Sequence, residues 1–145
     1  MLVTTIDYNI ILYIDRLEEL IEACRTGDKE KVCTICMMPK YVNAKETING
    51  WTPLMVATYN NQIPIVYTLI GCGADIFAKN YNGTNLLMYA KDAYLQSGNS
   101  ELFELFVKLG ISPDAKDYKG NSLWDYLNEE KTLLEVLESY GYSNI

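Results

Sequence analysis

The stretch that decides the fold is Gly50-Trp51-Thr52-Pro53-Leu54-Met55-Val56-Ala57, and its continuation is Gly73-Ala74-Asp75. Thr52 has a side-chain oxygen that can accept a hydrogen bond from a free amide in the first turn of a helix. Pro53 suits the first helical position because its missing amide proton leaves no donor unpaired there. Gly73 lies where a residue with left-handed backbone angles ends a helix. The stretch therefore predicts two short helices, the first starting at Pro53 and the second ending just before Gly73.

The same pattern recurs twice further along the chain. Gly50 and Gly83 are 33 residues apart and Gly83 and Gly120 are 37 residues apart, which fits a 33-residue unit with a four-residue insertion. A period of this length is the signature of a repeat protein, in which one helix pair cannot bury its apolar face and neighbouring pairs stack. The residues two positions after these glycines favour a helix start, and they are Thr52, Asn85 and Ser122. The predicted helices run approximately over Pro53–Asn60, Ile65–Gly71, Leu86–Leu95, Glu101–Leu109, Leu123–Asn128 and Lys131–Tyr140.

These units resemble ankyrin repeats. Gly50–Ala57 with Gly73–Asp75 is the strong match, whereas the second unit has Leu86 where the family has proline and also carries the insertion. Leu20–Asp28 resembles an N-terminal capping repeat, and the unit over Gly120–Gly141 departs from the family pattern as a terminal cap often does.

The resemblance implies an all-α fold, an ankyrin-repeat solenoid of stacked helix-turn-helix units with short β-hairpin loops. It divides one domain, residues 1–145, into an N-terminal cap (16–42), a repeat (43–75), a repeat with the insertion (76–112) and a C-terminal cap (113–145). The role of Met1–Asp15 stays open, as an extra strand, a helix extension or part of the cap.

Length and composition restrict the class of protein. A chain of 145 residues with 49% hydrophobic and 21% charged residues has the composition of a folded soluble domain. No apolar run approaches the roughly 18 residues that suggest a membrane span. No basic residue precedes the apolar segment Ile10–Ile14, which argues against a secretory signal. We therefore expect a cytoplasmic protein whose four cysteines are reduced.

The charge balance favours a basic partner. The net charge is −7, and residues 101–145 hold nine of the nineteen acids against four lysines. Direct binding to nucleic acid or to an anionic membrane needs a cationic surface, so neither is expected. A protein with a basic surface would meet complementary charge on this chain.

The chain offers little catalytic chemistry. It contains no histidine, which removes the commonest general base and metal ligand. Cys33-x-x-Cys36 has the spacing of a metal or redox site, but zinc needs four ligands, so Cys24 and Cys72 would have to converge with it. The alternative, which we favour, is that these are small thiols packed in the core. The sequence thus predicts no enzyme, no cofactor and no metal site.

The candidate partner-binding residues follow from positions that the ankyrin pattern leaves solvent-facing. Counting two residues back from each repeat glycine gives Ile48, Tyr81 and Tyr118 at the hairpin tips, and Trp51 follows the first glycine. Aromatic residues carry much of the energy at protein interfaces. A turn tyrosine can instead lie over the backbone of its neighbour and contribute to stacking, and this alternative stays open. The full predicted set is Ile48, Trp51, Tyr59, Asn60, Tyr81, Asn82, Asp92, Asp117, Tyr118, Lys119 and Asp125.

The resemblance implies a non-catalytic protein–protein interaction module that binds through its concave face. The more specific hypothesis is a small acidic stoichiometric inhibitor, of the immunity or antitoxin type, that masks a cationic toxin or nuclease. Such a protein is expected as a monomer or as a heterodimer with its partner. The alternative is an adaptor or host-interaction protein that recruits a regulatory partner through the same face.

Overall fold

The computed structural model describes the backbone of residues 5–144 and the side chains of residues 8–144. The helices in this range are α1 (Thr5–Thr26), α2 (Lys29–Cys36), α3 (Pro39–Val42), α4 (Pro53–Tyr59), α5 (Ile63–Gly71), α6 (Leu86–Ser97), α7 (Glu101–Lys108), α8 (Leu123–Leu127) and α9 (Lys131–Ser139).

The helices form a stack of antiparallel pairs. α1 packs on α2, α4 on α5 and α6 on α7, while α1, α4, α6 and α8 contact one another in that order and form one row. The second helices form the other row, in which α2 contacts α5 and α7 contacts α9. This arrangement confirms the predicted all-helical stack of helix pairs.

The first helices begin where the sequence predicts, because a side chain satisfies a free amide at each start. Thr52 accepts from the amide of Met55 at 3.3 Å, and Asn85 accepts from the amide of Met88 at 3.0 Å. At α8 the roles are exchanged. The amide of the capping residue Ser122 donates to the side chain of Asp125, three residues later, at 2.8 Å. Such caps fix the register of each repeat against the turn before it.

The core lies between the two rows of helices. Its largest fully buried side chains include Leu20, Leu54, Leu87, Phe103 and Phe106. Leu105 in α7 and Leu134 in α9 are only partly buried and pack against this core.

The insertion in the second repeat lengthens the first helix of that repeat. α6 continues to Ser97 and ends at Gly98, which has left-handed backbone angles (φ 74°). The predicted end at Leu95 was therefore two residues short. Ala93 lies inside this longer helix and is buried.

The sequence left open whether Met1–Asp15 forms a strand, a helix extension or part of the cap, and α1 answers this for most of the segment. From Thr5 onward this segment is a continuous extension of α1, and residues 1–4 lie outside the described range. The C-terminal half of α1 packs into the core, whereas Tyr8, Ile10 and Ile14 in the extension are about half exposed. No helix in the described part of the chain is long and apolar enough to cross a membrane.

Three turns connect the helix pairs, and in each the amide of the first residue donates to the carbonyl of the last. We name them the first hairpin (Glu46–Trp51, N to O 3.0 Å), the second hairpin (Asn80–Thr84, 3.1 Å) and the third hairpin (Asp117–Asn121, 2.8 Å). Within residues 5–144 the strand-like pairing is limited to one antiparallel bridge, Lys116 with Ser122, so no sheet forms. The predicted β-hairpin loops are thus tight turns.

Candidate partner-binding surface

Three aromatic rings form a cluster where the first hairpin meets α4 and α6. The Trp51 ring lies 5.5 Å from the Tyr59 ring and 4.4 Å from the Tyr89 ring, centroid to centroid, and the two tyrosine rings are 6.0 Å apart. Both contacts of Tyr59 are edge-to-face, a favourable arrangement for aromatic pairs. The three rings therefore support one another in fixed positions. We call Trp51, Tyr59 and Tyr89 the aromatic cluster.

Trp51 differs from the expectation of a fully exposed side chain. It is partly buried and packs against the core, because Tyr59 and Tyr89 cover part of its ring. Tyr89 was missing from the predicted set, although a signal for it exists. Tyr89 and Tyr126 each follow their helix-capping residue by four positions, which places both on the same side of their helices.

The hairpin-tip tyrosines, Tyr81 and Tyr118, fit both alternatives that the sequence left open, a binding surface and stacking between repeats. Ile48 is 83% exposed, Tyr118 73% and Tyr81 53%. The ring of Tyr81 nevertheless lies against Gly50, where an added Cβ would come within 2.5 Å of it. The ring of Tyr118 lies against Gly83 in the same way, at 2.8 Å. Each tyrosine therefore joins its hairpin to the preceding one and still leaves much of its surface open to a partner.

Asp117 was expected to flank the aromatic strip, and the structure corrects this placement. Its side chain is buried, because one carboxylate oxygen accepts from the amides of Lys119 and Asn121, both at 3.0 Å. The other oxygen accepts from the Tyr126 hydroxyl. This hydroxyl bond, helped by the two amides, holds the pKa of Asp117 below its ordinary value. The ionised carboxylate organises the turn. Its charge could attract a basic partner, but its oxygens are not available for direct contact with one.

The remaining predicted polar residues lie at the surface. Asp92 pairs with Lys91 at 2.9 Å, and the Lys91 ammonium also lies 5.2 Å from the centre of the Tyr126 ring. Asp125 is exposed, although its carboxylate also caps α8. Three further predicted residues, Asn60, Asn82 and Lys119, are exposed.

The predicted residues therefore separate into two groups. Trp51 and Tyr59 come together with Tyr89, and Asp92 lies close enough to influence the Tyr89 hydroxyl, whose pKa burial raises to about 12. The tip residues are arranged hairpin by hairpin along the stack. We call the surface made by the hairpin tips and the first helices α4, α6 and α8 the inner face.

Two of the four cysteines, Cys24 and Cys36, are buried in the core, whereas Cys33 and Cys72 are partly exposed. Burial raises the pKa of Cys24 to about 12, and burial together with the neighbouring Cys72 thiol raises that of Cys36 to about 12. Both thiols are thus protonated at neutral pH, whereas a thiolate is the form that reacts and binds metal. Among the described residues, no three Cys, Asp or Glu side chains are grouped so as to hold a metal ion.

Comparison with known families decides the classification of this stack. The family described as ankyrin repeats (3 copies) matches residues 20–117. The chain belongs to the ankyrin repeat family. No curated protein matches the chain significantly. The match begins within α1 and ends at Asp117, so it includes the helix pairs α4–α5 and α6–α7 and all of the aromatic cluster. Ankyrin repeats imply a protein–protein interaction module, and the chain is one of these.

Proposed function

We propose that this ankyrin repeat protein binds a protein with a basic surface through its inner face, and that it acts as a stoichiometric inhibitor of that protein. The aromatic cluster, beside Asp92, is the observation that carries the proposal. Trp51 and Tyr59 are partly exposed, and the buried ring of Tyr89 supports them. Aromatic side chains held rigidly in this way lose little entropy on binding, which is what interface anchors require.

Charge supports a basic partner. The net charge of the chain is −7, and the capping or turn bonds of Asp117 and Asp125 hold their carboxylates in place without neutralising them. Fixed acids on one side of a molecule accelerate the encounter with a basic surface and slow it with an acidic one. A toxin or nuclease whose active site binds nucleic acid has such a basic surface, and covering it would block access of the substrate.

The aromatic cluster is tested by a matched pair of tyrosines. Tyr59 lies on the first helix α4, and Tyr67 lies half exposed on the second helix α5 of the same repeat. The tagged chain is used to isolate a bound protein at low salt, and the protein is identified by mass spectrometry. Tyr59→Ala should weaken its binding at least tenfold, since hot-spot side chains contribute about 2 kcal/mol or more. Tyr67→Ala should leave the affinity unchanged.

Asp92→Asn supplies a second variant that leaves the rings in place. It should slow association with the isolated partner and reduce the dependence of the association rate on salt, while dissociation changes little. An acidic partner, or equal losses for Tyr59→Ala and Tyr67→Ala, would contradict the use of the inner face.

Titration then separates an inhibitor from an adaptor. The activity of the isolated partner should fall to zero at one equivalent of the chain if the inner face covers the active site. A partner that binds with the same stoichiometry and keeps its activity would identify the chain as an adaptor.

A further inference from the structure

Three interactions join each hairpin to the next, and each occurs twice. Tyr81 lies on Gly50, and Tyr118 lies on Gly83. The amide of Tyr81 donates to the carbonyl of Asn49 and the amide of Tyr118 to the carbonyl of Asn82, both at 3.0 Å.

The third interaction is a relay of lysines. The Lys45 ammonium donates to the carbonyl of Lys79 at 2.6 Å, and the Lys79 ammonium donates to the carbonyl of Lys116 at 3.4 Å. Each hairpin therefore offers its successor the same three features: an open glycine face, a carbonyl acceptor and a lysine donor.

The third hairpin offers all three features with nothing bound to them in the described chain. A Cβ added at Gly120 would meet no atom within 4 Å, whereas Gly50 and Gly83 are covered. No described backbone amide donates to Lys119, which holds the position of Asn49 and Asn82. Lys116, third in the lysine relay, has no hydrogen-bond or ion-pair partner for its ammonium among residues 8–144.

We propose that this edge of the third hairpin binds a turn of a partner protein that presents an aromatic side chain. The aromatic ring would lie on Gly120, the backbone amide of the same residue would donate to the Lys119 carbonyl, and a carbonyl of the turn would accept from Lys116. The equivalent edges of the first and second hairpins are both occupied by the next hairpin of the chain, and in both cases a tyrosine lies on the glycine.

The edge is separate from the aromatic cluster and does not depend on the charge of the partner. Its specificity comes from the backbone, since two of the three features are main-chain groups or depend on the absence of a side chain. Recognition of this kind resembles the addition of a strand to a sheet edge, in which main-chain hydrogen bonds give affinity and one side chain gives selectivity.

The test uses the occupant that the chain itself supplies. A head-to-tail cyclic peptide with the sequence of residues 113–123 copies the third hairpin, whose ends are close because the Leu123 amide donates to the Pro113 carbonyl at 3.2 Å. Adding it to the isotopically labelled full chain should shift the amide resonances of Lys119, Gly120 and Asn121, with a Kd of about 1 mM.

Two matched changes check the named contacts. A peptide with alanine in place of its tyrosine should bind about fivefold more weakly, the range of an aromatic contact. In the protein, Lys116→Ala should weaken the unmodified peptide about twofold. Lys131→Ala removes an exposed lysine of α9 and should leave the affinity unchanged.

Four outcomes would overturn the proposal: no shift at about 10 mM peptide, equal binding of the tyrosine-free peptide, shifts confined to the aromatic cluster, or equal effects of the two lysine variants. A shift of the Gly120 amide that grows with protein concentration alone would assign the edge to a second copy of the chain and equally overturn it.

Discussion

In the second hairpin the residue that organises the turn is Asn80, and in the third hairpin the equivalent residue is Asp117. One oxygen of each side chain accepts from the two amides that lie two and four residues later. The second contact has opposite polarity. The Asn80 amide donates to the Tyr89 hydroxyl at 2.6 Å, whereas the Asp117 carboxylate accepts from the Tyr126 hydroxyl. The same turn is thus built once without charge and once with a fixed charge.

The comparison shows that an acid on a binding face need not be a binding residue. Asp117 is part of the turn, as Asn80 is, and its charge contributes to the field of the inner face without an exposed carboxylate. The two hairpins also differ in what covers them. The second hairpin is covered by the third, whereas no described residue covers Gly120 of the third.

The largest effect is expected in the core that supports the second hairpin. Leu87 in α6 is fully buried, so Leu87→Ala should lower the free energy of unfolding by about 2–5 kcal/mol through lost burial and a residual cavity. Leu95 in the same helix is 57% exposed, and Leu95→Ala should cost less than about 0.5 kcal/mol. Urea denaturation measures both, and equal costs would contradict the burial of Leu87.

Removing the neutral turn residue should have the next largest effect. Asn80→Ala leaves the amides of Asn82 and Thr84 and the Tyr89 hydroxyl without their partner, and it should cost about 2–3 kcal/mol. Asn82→Ala, in the same turn but exposed, is the control and should change stability little. If both variants unfold at the wild-type urea concentration, Asn80 does not organise the turn.

The tyrosines that link the hairpins should show a graded loss. Tyr81 is more buried than Tyr118, so Tyr81→Ala should cost about 1–2 kcal/mol and Tyr118→Ala about 1 kcal/mol or less. The order is the informative result. A larger loss for Tyr118→Ala would mean that the third hairpin, not the second, is the better packed.

The smallest effect is a change in acid sensitivity that the third hairpin should show and the second hairpin, whose turn residue Asn80 is neutral, should not. The pKa of Asp117 is lower in the folded chain than in the unfolded one, so its contribution to stability is present above the unfolded value and is lost as the pH falls through the folded value. Asp117→Asn copies the second hairpin and should flatten the fall in stability between about pH 5 and pH 2. Asn82→Asp, an added exposed acid, should not. If the stability of Asp117→Asn fell with pH as steeply as that of the wild type, the charge of Asp117 would not contribute to the stability of this turn.

Local signals in the sequence predicted the repeat but not every contact. The capping residues Thr52 and Asn85 and the period of the glycines were enough to place the helix pairs, because capping and periodicity depend on neighbouring residues. The role of Asp117 was missed, since it depends on Tyr126, nine residues away on the next helix. The partial burial of Trp51 depends on Tyr89 from another repeat, and no local pattern reports such a contact.

The first hairpin is a further example, because it has one more residue between its turn residue and its glycine (Glu46 to Gly50) than the second hairpin (Asn80 to Gly83). Glu46 accepts from the amides of Ile48, Asn49 and Trp51. Its longer side chain thus bonds the amides of the longer turn, as Asn80 bonds those of the shorter second hairpin. Burial opposes ionisation, but these amides together hold the pKa of Glu46 below its ordinary value. The length difference can be read from the sequence, but only the folded turn shows why a glutamate accompanies it.

The binding account is tested most directly by the fluorescence of the two tryptophans. In the Trp124→Phe chain, Trp51 is the one remaining tryptophan and reports on the aromatic cluster. Titration with the isolated partner, itself free of tryptophan or corrected for it, should change the Trp51 emission until one equivalent is bound. The role of the aromatic cluster as the anchor would be contradicted if Trp51 emission stayed constant at saturation while the emission of the Trp51→Phe chain, which reports on Trp124 in α8, changed instead.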